Sequence, residues 1–180
     1  MANGSRLGRD EYFIAMAKLV AQRATCLRRA VGCVLTNEHG HVLATGYNGV
    51  ARGQPHCNEE TGRVGNPQLI TRDNVTRAAE HWEKVSIPVY GNACSGATAP
   101  SGTNLQGCQA IHAEQNALLQ CRNINEIHTA YVTASPCVTC MRLIANTSIK
   151  RIVFAEEYPH VESRDLAYAR GIAWNKYRAD

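Results

Sequence analysis

The second half of the chain alternates between helical and strand-like segments, and this alternation constrains the fold more than any other feature. Apolar residues recur at helical spacing in three segments, and three β-rich runs separate or follow them. In chain order these are helix 112–121, strand 129–133, helix 137–145, strand 151–155, helix 162–170 and strand 172–174. Strands that alternate with helices assemble into a sheet covered by helices. The pattern therefore predicts an α/β fold, a three-layer α/β/α sandwich around a mixed sheet.

The first fifty residues add a predicted helix and a predicted hairpin. Residues 10–24 carry apolar side chains at three- and four-residue spacing, with Asp10 as the predicted N-cap. Residues 31–36 and 41–45 are rich in β-formers, and the polar residues 37–40 between them form a short turn signal. We therefore expect two antiparallel strands after the first helix.

The segment from residue 50 to residue 107 differs in composition from the rest. Gly, Pro, Asn, Thr and Ser are frequent there, around one helical stretch from about Asp73 to Lys84. A chain of 180 residues has the size of one ordinary domain. We therefore predict a single domain over residues 1–180, with an insertion-like surface region over about 58–107.

Two motifs in the alternating half carry the chemistry. His112-Ala113-Glu114 opens one predicted helix and Pro136-Cys137-Val138-Thr139-Cys140 opens another, with His112 and Cys137 25 positions apart. Residues three apart lie on one side of a helical turn, so both cysteines of the second motif can face one ion. One imidazole and two thiolates make three zinc ligands, and a catalytic zinc keeps its fourth position for water. The motifs thus predict a catalytic zinc held by His112, Cys137 and Cys140.

Glu114 is the predicted proton carrier, from that water to a ring nitrogen and then to a leaving amine. It is not expected to bind the metal. A lone CxxC is common in closed structural zinc sites, and a lone HxE carries almost no information. The combination is specific, because H-x-E followed by P-C-x-x-C is the known signature of the zinc deaminases.

Five stretches carry a wider resemblance. They are Thr25-Cys26-Leu27-Arg28-Arg29-Ala30-Val31-Gly32, Ala44-Thr45-Gly46-Tyr47-Asn48-Gly49, Pro55-His56-Cys57, Ile111-His112-Ala113-Glu114-Gln115-Asn116-Ala117, and Ser135-Pro136-Cys137 continuing to Cys140. On these the chain resembles the cytidine deaminase superfamily and, within it, the deoxycytidylate (dCMP) deaminases. The resemblance implies a five-stranded core, hydrolysis of dCMP to dUMP with release of ammonia, and homo-oligomers that are usually hexameric.

The resemblance also implies ligand contacts. Asn48 corresponds to an asparagine that reaches the nucleotide sugar, although alone it reads as a turn residue. Ala113 would present a backbone amide to the cytosine carbonyl, as would Cys137, because amides at helix starts are unpaired. Arg28 and Tyr158 are the candidates for the 5′-phosphate. Each of them alone is more often a solvated surface residue.

Regulation is implied as well, with activation by dCTP and Mg²⁺ and inhibition by dTTP. The effector loop would include Tyr47, Asn48 and Gly49. Its flanking glycines, Gly46 and Gly49, let a backbone pass close to a ligand or adopt positive φ. The alternative is a simple turn that ends a strand.

Eight cysteines allow a second metal site. Family members often carry a structural zinc, and Cys26, Cys57 and Cys108 match its ligand positions, with the fourth ligand open between Cys94 and His56. The alternatives are small buried thiols, or a disulfide framework, which reducing compartments disfavour. Cys33 and Cys121 are predicted to be core or bystander residues.

Charge and composition limit the partners. The net charge of +4 is spread along the chain, which suits a small anionic ligand. Aromatic residues make up only 6%, so a surface for binding a nucleic-acid strand is not evident. No apolar run approaches a membrane span, and we expect a cytoplasmic protein without membrane or nucleic-acid partners. The alternative functions are deamination of dCTP and deamination of a polynucleotide or tRNA base. A third alternative is a binding module that zinc stabilises and that has no turnover.

Overall fold

The computed structural model describes residues 6–54, 56–57, 96, 99–100, 103, 107–159 and 161–178. These ranges contain four α-helices, five β-strands and a short 3-10 helix, Ile124–Glu126. The elements are α1 (Arg9–Ala21), β1 (Gly32–Thr36), β2 (Val42–Tyr47), α2 (Ala113–Gln120), β3 (Thr129–Ala134), α3 (Val138–Ile144), β4 (Arg151–Glu156), α4 (Val161–Ala169) and β5 (Ala173–Lys176).

The five strands form one mixed sheet in the order β2-β1-β3-β4-β5. β1 runs antiparallel to both β2 and β3, which confirms the predicted hairpin. β3, β4 and β5 run parallel, and α3 and α4 are the crossovers between them. This confirms the predicted α/β class and the five-stranded mixed sheet.

Alternate residues of the central strands pack on opposite faces of the sheet, as the two-residue period of a strand requires. On one face, Val34 of β1 and Tyr131 of β3 pack with Phe13, Ile14 and Ala17 of α1. The other face is larger and is covered by α2, α3 and α4. Its buried cluster includes Leu35, Val132, Phe154, Ala117, Met141 and Ala167. The helices therefore form two layers around the sheet.

The predicted N-cap of α1 is wrong. Gly8 is the N-cap, and its backbone amide donates to Glu11 Oε2 at 3.3 Å. Asp10 lies in the first turn, and its carboxylate accepts two hydrogen bonds from Arg151 of β4, at 2.6 and 2.8 Å, and one from Tyr131, at 3.1 Å. The Asp10 carboxylate thus binds Arg151, on a strand beneath the helix, and does not cap the helix. Because this contact is distant in sequence, the local sequence alone predicted the wrong N-cap.

The predicted helix over 73–84 lies outside the described residues, as does most of the region 58–107. The single domain over 1–180 with an insertion-like region stays a prediction. No helix in the described parts of the chain is long and apolar enough to cross a membrane.

Candidate functional site

Two helix starts bring the predicted metal ligands together. His112 is the N-cap of α2, and its backbone amide donates to Gln115 Oε1 at 2.9 Å. Cys137 is the N-cap of α3 and lies three residues after the end of β3. Between them, Pro136 disfavours helix at Ser135, the residue before it. His112 Nδ1 lies 3.5 Å from Cys137 Sγ and 3.3 Å from Cys140 Sγ.

These three donors fit a zinc ion. Their ligand atoms all lie within 4.8 Å of one another, and both cysteines are buried. A nitrogen and two sulfurs are the soft donor set that zinc prefers, and three protein ligands leave a fourth position. Among the residues that the structure describes, this is the one group of three or more His, Cys, Asp or Glu placed to hold a metal.

The charges inside the site favour a thiolate. The hydrogen bond from Cys140 lowers the pKa of Cys137 to about 4, and the contact with His112 adds to the effect. The same hydrogen bond and burial raise the pKa of Cys140. The hydrogen bond with Cys137 raises the pKa of His112, against the opposing effect of desolvation. The thiolate of Cys137 at one N-cap thus lies beside His112 at the other, at the point where a cation would bind.

Glu114 is the second residue of α2 and is only 4% exposed. Burial raises the pKa of its carboxyl to about 7, with the negative Cys137 acting in the same direction and His112 opposing. A group with this pKa can accept and donate protons near neutral pH. Beneath it, burial first and the charge of Glu114 second raise the pKa of the fully buried Cys33. Cys33 is therefore a neutral core thiol, as predicted.

Gly46 sets the distance between α2 and the sheet. A Cβ on Gly46 would lie 2.2 Å from Ala113 O and 2.3 Å from Ala117 N. The glycines with positive φ among the described residues are Gly40, Gly53 and Gly171, so Gly46 and Gly49 do not use that freedom. Gly46 approaches the backbone of α2 closely, whereas its predicted close approach to a ligand stays a prediction.

The predicted effector loop is tied into the site by hydrogen bonds. Tyr47 O accepts from Asn116 Nδ2 at 2.8 Å, and Gly49 and Ile111 exchange backbone hydrogen bonds of 3.1 and 2.8 Å. The side chain of Asn48 is 6% exposed. Its Oδ1 accepts from Val31 N at 2.8 Å and its Nδ2 donates to Arg29 O at 2.7 Å. Asn48 therefore joins the end of β2 to the segment that precedes β1.

One pocket contains the predicted substrate residues together with Glu114. Arg28, Asn48, Ala113 and Tyr158 line it, beside the metal ligands His112 and Cys137. Arg28 Nη2 donates to Pro100 O at 2.6 Å and Thr103 O at 2.9 Å. Arg28 thus already contacts the end of the insertion-like region.

Sequence reasoning missed Arg29 and Ser135, which also line this pocket. Arg29 forms an ion pair with Glu156, and its guanidinium lies 5.8 Å from the ring centre of Tyr158. Ser135 Oγ accepts from Tyr158 N at 2.7 Å, and Ser135 N donates to Glu156 O at 2.8 Å. The sequence signal for Arg29 was its position next to Arg28, since either arginine could bind an anion. Only their tertiary contacts show which partner each arginine has.

The second metal site stays a prediction. Cys26 and Cys108 line the pocket and Cys57 is buried, but Cys94 lies outside the described residues. The seven cysteines that the structure describes are not joined in disulfides, and Cys121 caps the end of α2.

The fold and the site define an α/β protein with a His-Cys-Cys group placed to hold a metal beside a buried glutamate. Residues 7–156 match the family described as the cytidine and deoxycytidylate deaminase zinc-binding region, and the chain belongs to this family.

Two relatives agree with this assignment, and a solved structure shares the fold. The deoxycytidylate deaminase of Mycobacterium phage D29 is 35% identical over 154 residues, which cover 85% of this chain and 98% of that protein. The deoxycytidylate deaminase of Schizosaccharomyces pombe is 33% identical over 93% of this chain, which spans 44% of the relative's length. A crystal structure of the dCMP deaminase from the cyanophage S-TIM5 with dCMP and dUMP has a TM-score of 0.61 at 23% identity, covering 93% of this chain and 95% of that chain. The last comparison shows the fold.

Proposed function

We propose that this enzyme is a zinc-dependent deaminase that hydrolyses dCMP to dUMP and ammonia. The observation that carries the proposal is the buried Glu114, with its pKa raised to about 7, beside the ligand group of His112, Cys137 and Cys140. The choice of dCMP is supported by relatives named deoxycytidylate deaminase that match most of this chain.

His112, Cys137 and Cys140 would hold the zinc, which when bound supplies a water molecule whose pKa is lowered toward about 7. The Glu114 carboxylate takes the proton of the attacking water and passes it to N3 of cytosine. Once the water oxygen has bonded to C4, the same carboxylate takes the second proton from the new C4 hydroxyl and delivers it to the amine. The C4–N bond then breaks, ammonia leaves and the C4 carbonyl of uracil forms. The raised pKa of Glu114 suits both directions of transfer. The backbone amides of Ala113 and Cys137, at two helix starts, orient the C2 carbonyl of the base.

The sugar and phosphate would extend away from Glu114 along the pocket. Asn48 has one amide hydrogen beyond the one it donates to Arg29 O, and this hydrogen can reach a sugar hydroxyl. Arg28 and Tyr158 remain the proposed phosphate contacts, supported by their position in the lining of the same pocket.

The test is ammonia release from a panel of cytidine, dCMP, dCTP and cytosine-containing oligonucleotides. We expect dCMP to have the highest kcat/KM. A preference for dCTP or for the oligonucleotide would replace dCMP with the corresponding alternative. If the zinc-loaded protein releases no ammonia from any compound of the panel, the proposal is refuted. The alternative of a binding module without turnover would then remain.

We further propose regulation by nucleotides in a hexamer, with dCTP and Mg²⁺ activating and dTTP inhibiting. Support comes from the loop Tyr47–Gly49, whose hydrogen bonds reach Asn116 and Ile111 on either side of the first turn of α2. Allosteric coupling is typically about 5–150-fold in affinity. Saturation curves with dCMP that superimpose at effector concentrations shown by calorimetry to bind would contradict this proposal.

A second, structural zinc is proposed at Cys26, Cys57 and Cys108, with Cys94 or His56 as the fourth ligand. Metal analysis should then give about two zinc ions per chain, since a closed soft-ligand site binds tightly. Cys57→Ser should lower the value to one. A value near one in both proteins would contradict it.

A further inference from the structure

Arg29 stands in the pocket wall with an anion already bound to it. Its guanidinium pairs with the Glu156 carboxylate and lies over the ring of Tyr158. Both arginine and tyrosine line the same pocket as Glu114. A carboxylate on a pocket-lining arginine occupies the position that an anionic substrate group could take.

Arg29 is held in the pocket wall more firmly than its ion-pair partner Glu156, and so is the neighbouring Tyr158. The backbone of Arg29 is fixed by the hydrogen bond from Asn48, and Tyr158 is fixed by the hydrogen bond to Ser135 Oγ. The Arg29 side chain is 27% exposed, whereas that of Glu156, the last residue of β4, is 72% exposed. An exposed carboxylate loses little when it leaves such a pair, because water solvates it readily. Arg29 can therefore stay in place while Glu156 moves away.

Charge also favours an anion at Arg29. Glu114, His112 and Cys137 line the reacting end of the pocket, where the base binds, so the 5′-phosphate lies away from them. Arg28 and Arg29 are the cations of the described pocket lining, and Arg28 already donates to two carbonyl oxygens. A phosphate carries up to two charges and accepts a bidentate hydrogen bond from a guanidinium, so it competes well with one carboxylate.

We propose that Arg29 recognises the 5′-phosphate and that Glu156 is its resident counter-ion, which the phosphate displaces. This rests on the proposed function, and it adds a basis for selecting nucleotides over nucleosides. A neutral 5′-hydroxyl cannot replace a carboxylate on a guanidinium. The ion pair therefore stays closed for a nucleoside and opens for a monophosphate.

The first experiment compares dUMP and deoxyuridine as ligands of the zinc-loaded enzyme by calorimetry, which needs no turnover. Arg29→Gln should weaken dUMP binding by about tenfold or more, the usual size of a charged hydrogen bond. Deoxyuridine affinity should stay within about threefold, because it lacks the phosphate. Arg29→Lys keeps the charge without the bidentate geometry and should fall between Arg29→Gln and the unchanged enzyme for dUMP.

The second experiment isolates the counter-ion. Glu156→Gln should tighten dUMP binding by about two- to fivefold, consistent with an exposed pair, and leave deoxyuridine unchanged. The gain should vanish in the Arg29→Gln background. Arg164→Gln is the matched control, because Arg164 lies on α4 beside Asp165 and outside the pocket. It removes the same charge and should not alter dUMP affinity.

Equal losses for both ligands in Arg29→Gln, or no loss for dUMP, would overturn the proposal. So would a loss of equal size in Arg164→Gln, which would indicate a general charge effect. If the unchanged enzyme deaminates dCMP while Arg29→Gln binds dUMP normally, only the role of Arg29 fails. If the unchanged enzyme binds neither ligand and releases no ammonia from dCMP, the proposed function fails with it.

Discussion

Glu114 combines features that a structural residue would not need. Burial beside a thiolate raises the pKa of the Glu114 carboxyl and costs stability, and the charge of His112 opposes this only in part. Such arrangements cluster at functional sites, where an altered pKa serves proton transfer. The position of Glu114 two residues after a metal ligand adds to this argument.

We predict that Glu114→Gln lowers kcat by at least about 100-fold, because general acid–base groups contribute on this scale. The zinc content should stay that of the unchanged enzyme, since Glu114 is outside the ligand group. Steady-state kinetics tests the fall in kcat, and metal analysis on the same preparation tests the unchanged zinc content. Loss of zinc with activity retained after reloading would show that the assigned role is wrong.

Asp10 provides a prediction about pH and stability. Hydrogen bonds from Arg151 lower the pKa of Asp10, with desolvation opposing. A carboxyl whose pKa is lower in the folded state stabilises the protein above its unfolded pKa of about 3.9, and this contribution is lost as pH falls through the folded value. Asp10→Asn should lower the free energy of unfolding by about 1–2 kcal/mol at pH 7.

The loss caused by Asp10→Asn should be constant from pH 7 to 5 and should shrink below about pH 4, where the native Asp10 also becomes neutral. Urea titrations at several pH values measure it. Asp165→Asn, an exposed change beside Arg164, is the control and should have little effect. A loss that grows on acidification would contradict the assignment.

Functional residues could be predicted from the sequence where their chemistry requires particular residue types at particular sequence intervals. His112, Cys137 and Cys140 could be predicted because metal ligation demands these residue types at these intervals. Arg29 and Ser135 could not, because their roles depend on Glu156 and Tyr158, more than twenty positions away. Asp10 was misassigned for the same reason.

At the scale of elements, the seating of α2 on β2 positions the catalytic residues. Gly46 lets the backbone of β2 pack directly against the backbone of α2 at Ala113, the residue before Glu114. A Cβ at position 46 would lie only 2.2 Å from Ala113 O and would overlap it. A side chain at position 46 would therefore require the helix or the strand to shift. The distance between α2 and the sheet is therefore fixed by the lack of a side chain at one position.

Gly46→Ala should lift α2 away from β2. We expect a loss of about 1–3 kcal/mol in the free energy of unfolding, typical of overpacking, and a fall in kcat with zinc still bound. Gly8→Ala is the control, because a Cβ at Gly8 would meet nothing within 4 Å. Urea unfolding and kinetics measure both variants. An unchanged kcat in Gly46→Ala would show that α2 is not held by this contact.

Most elements could be predicted from periodicity, but their ends could not. The helix predicted to residue 24 ends at Ala21, and the strand predicted to residue 45 continues to Tyr47. Gly46 pairs with Cys33 in β1, and Tyr47 with Gly32, so pairing outweighs the poor strand preference of glycine. Strand order also depends on tertiary contacts and is absent from any local pattern.

For the molecule as a whole, a metal bound at this site would connect two helices. His112 begins α2, whereas Cys137 and Cys140 belong to the start of α3. A ligand that binds only the folded state stabilises it by about 4 kcal/mol at a thousandfold excess over its Kd. Removing zinc with a chelator should therefore lower Tm by on the order of 10 °C and abolish activity.

Scanning calorimetry before and after chelation measures the shift, and added zinc should restore both Tm and activity. Cys121→Ser is the control, because this thiol lies at the end of α2 away from the ligand group. It should show the same shift as the unchanged enzyme. Full activity in thoroughly chelated protein would contradict a metal-dependent reaction.

The ligands also lie on either side of β3 in the sequence, and β3 is the middle strand of the sheet, paired with β1 and β4. His112 cannot meet Cys137 until this strand is in place, since non-local contacts form only after the intervening chain closes. Zinc capture should thus follow sheet formation during refolding. In stopped-flow refolding, a chelator should leave the rate of sheet formation unchanged and remove only a later, zinc-dependent phase.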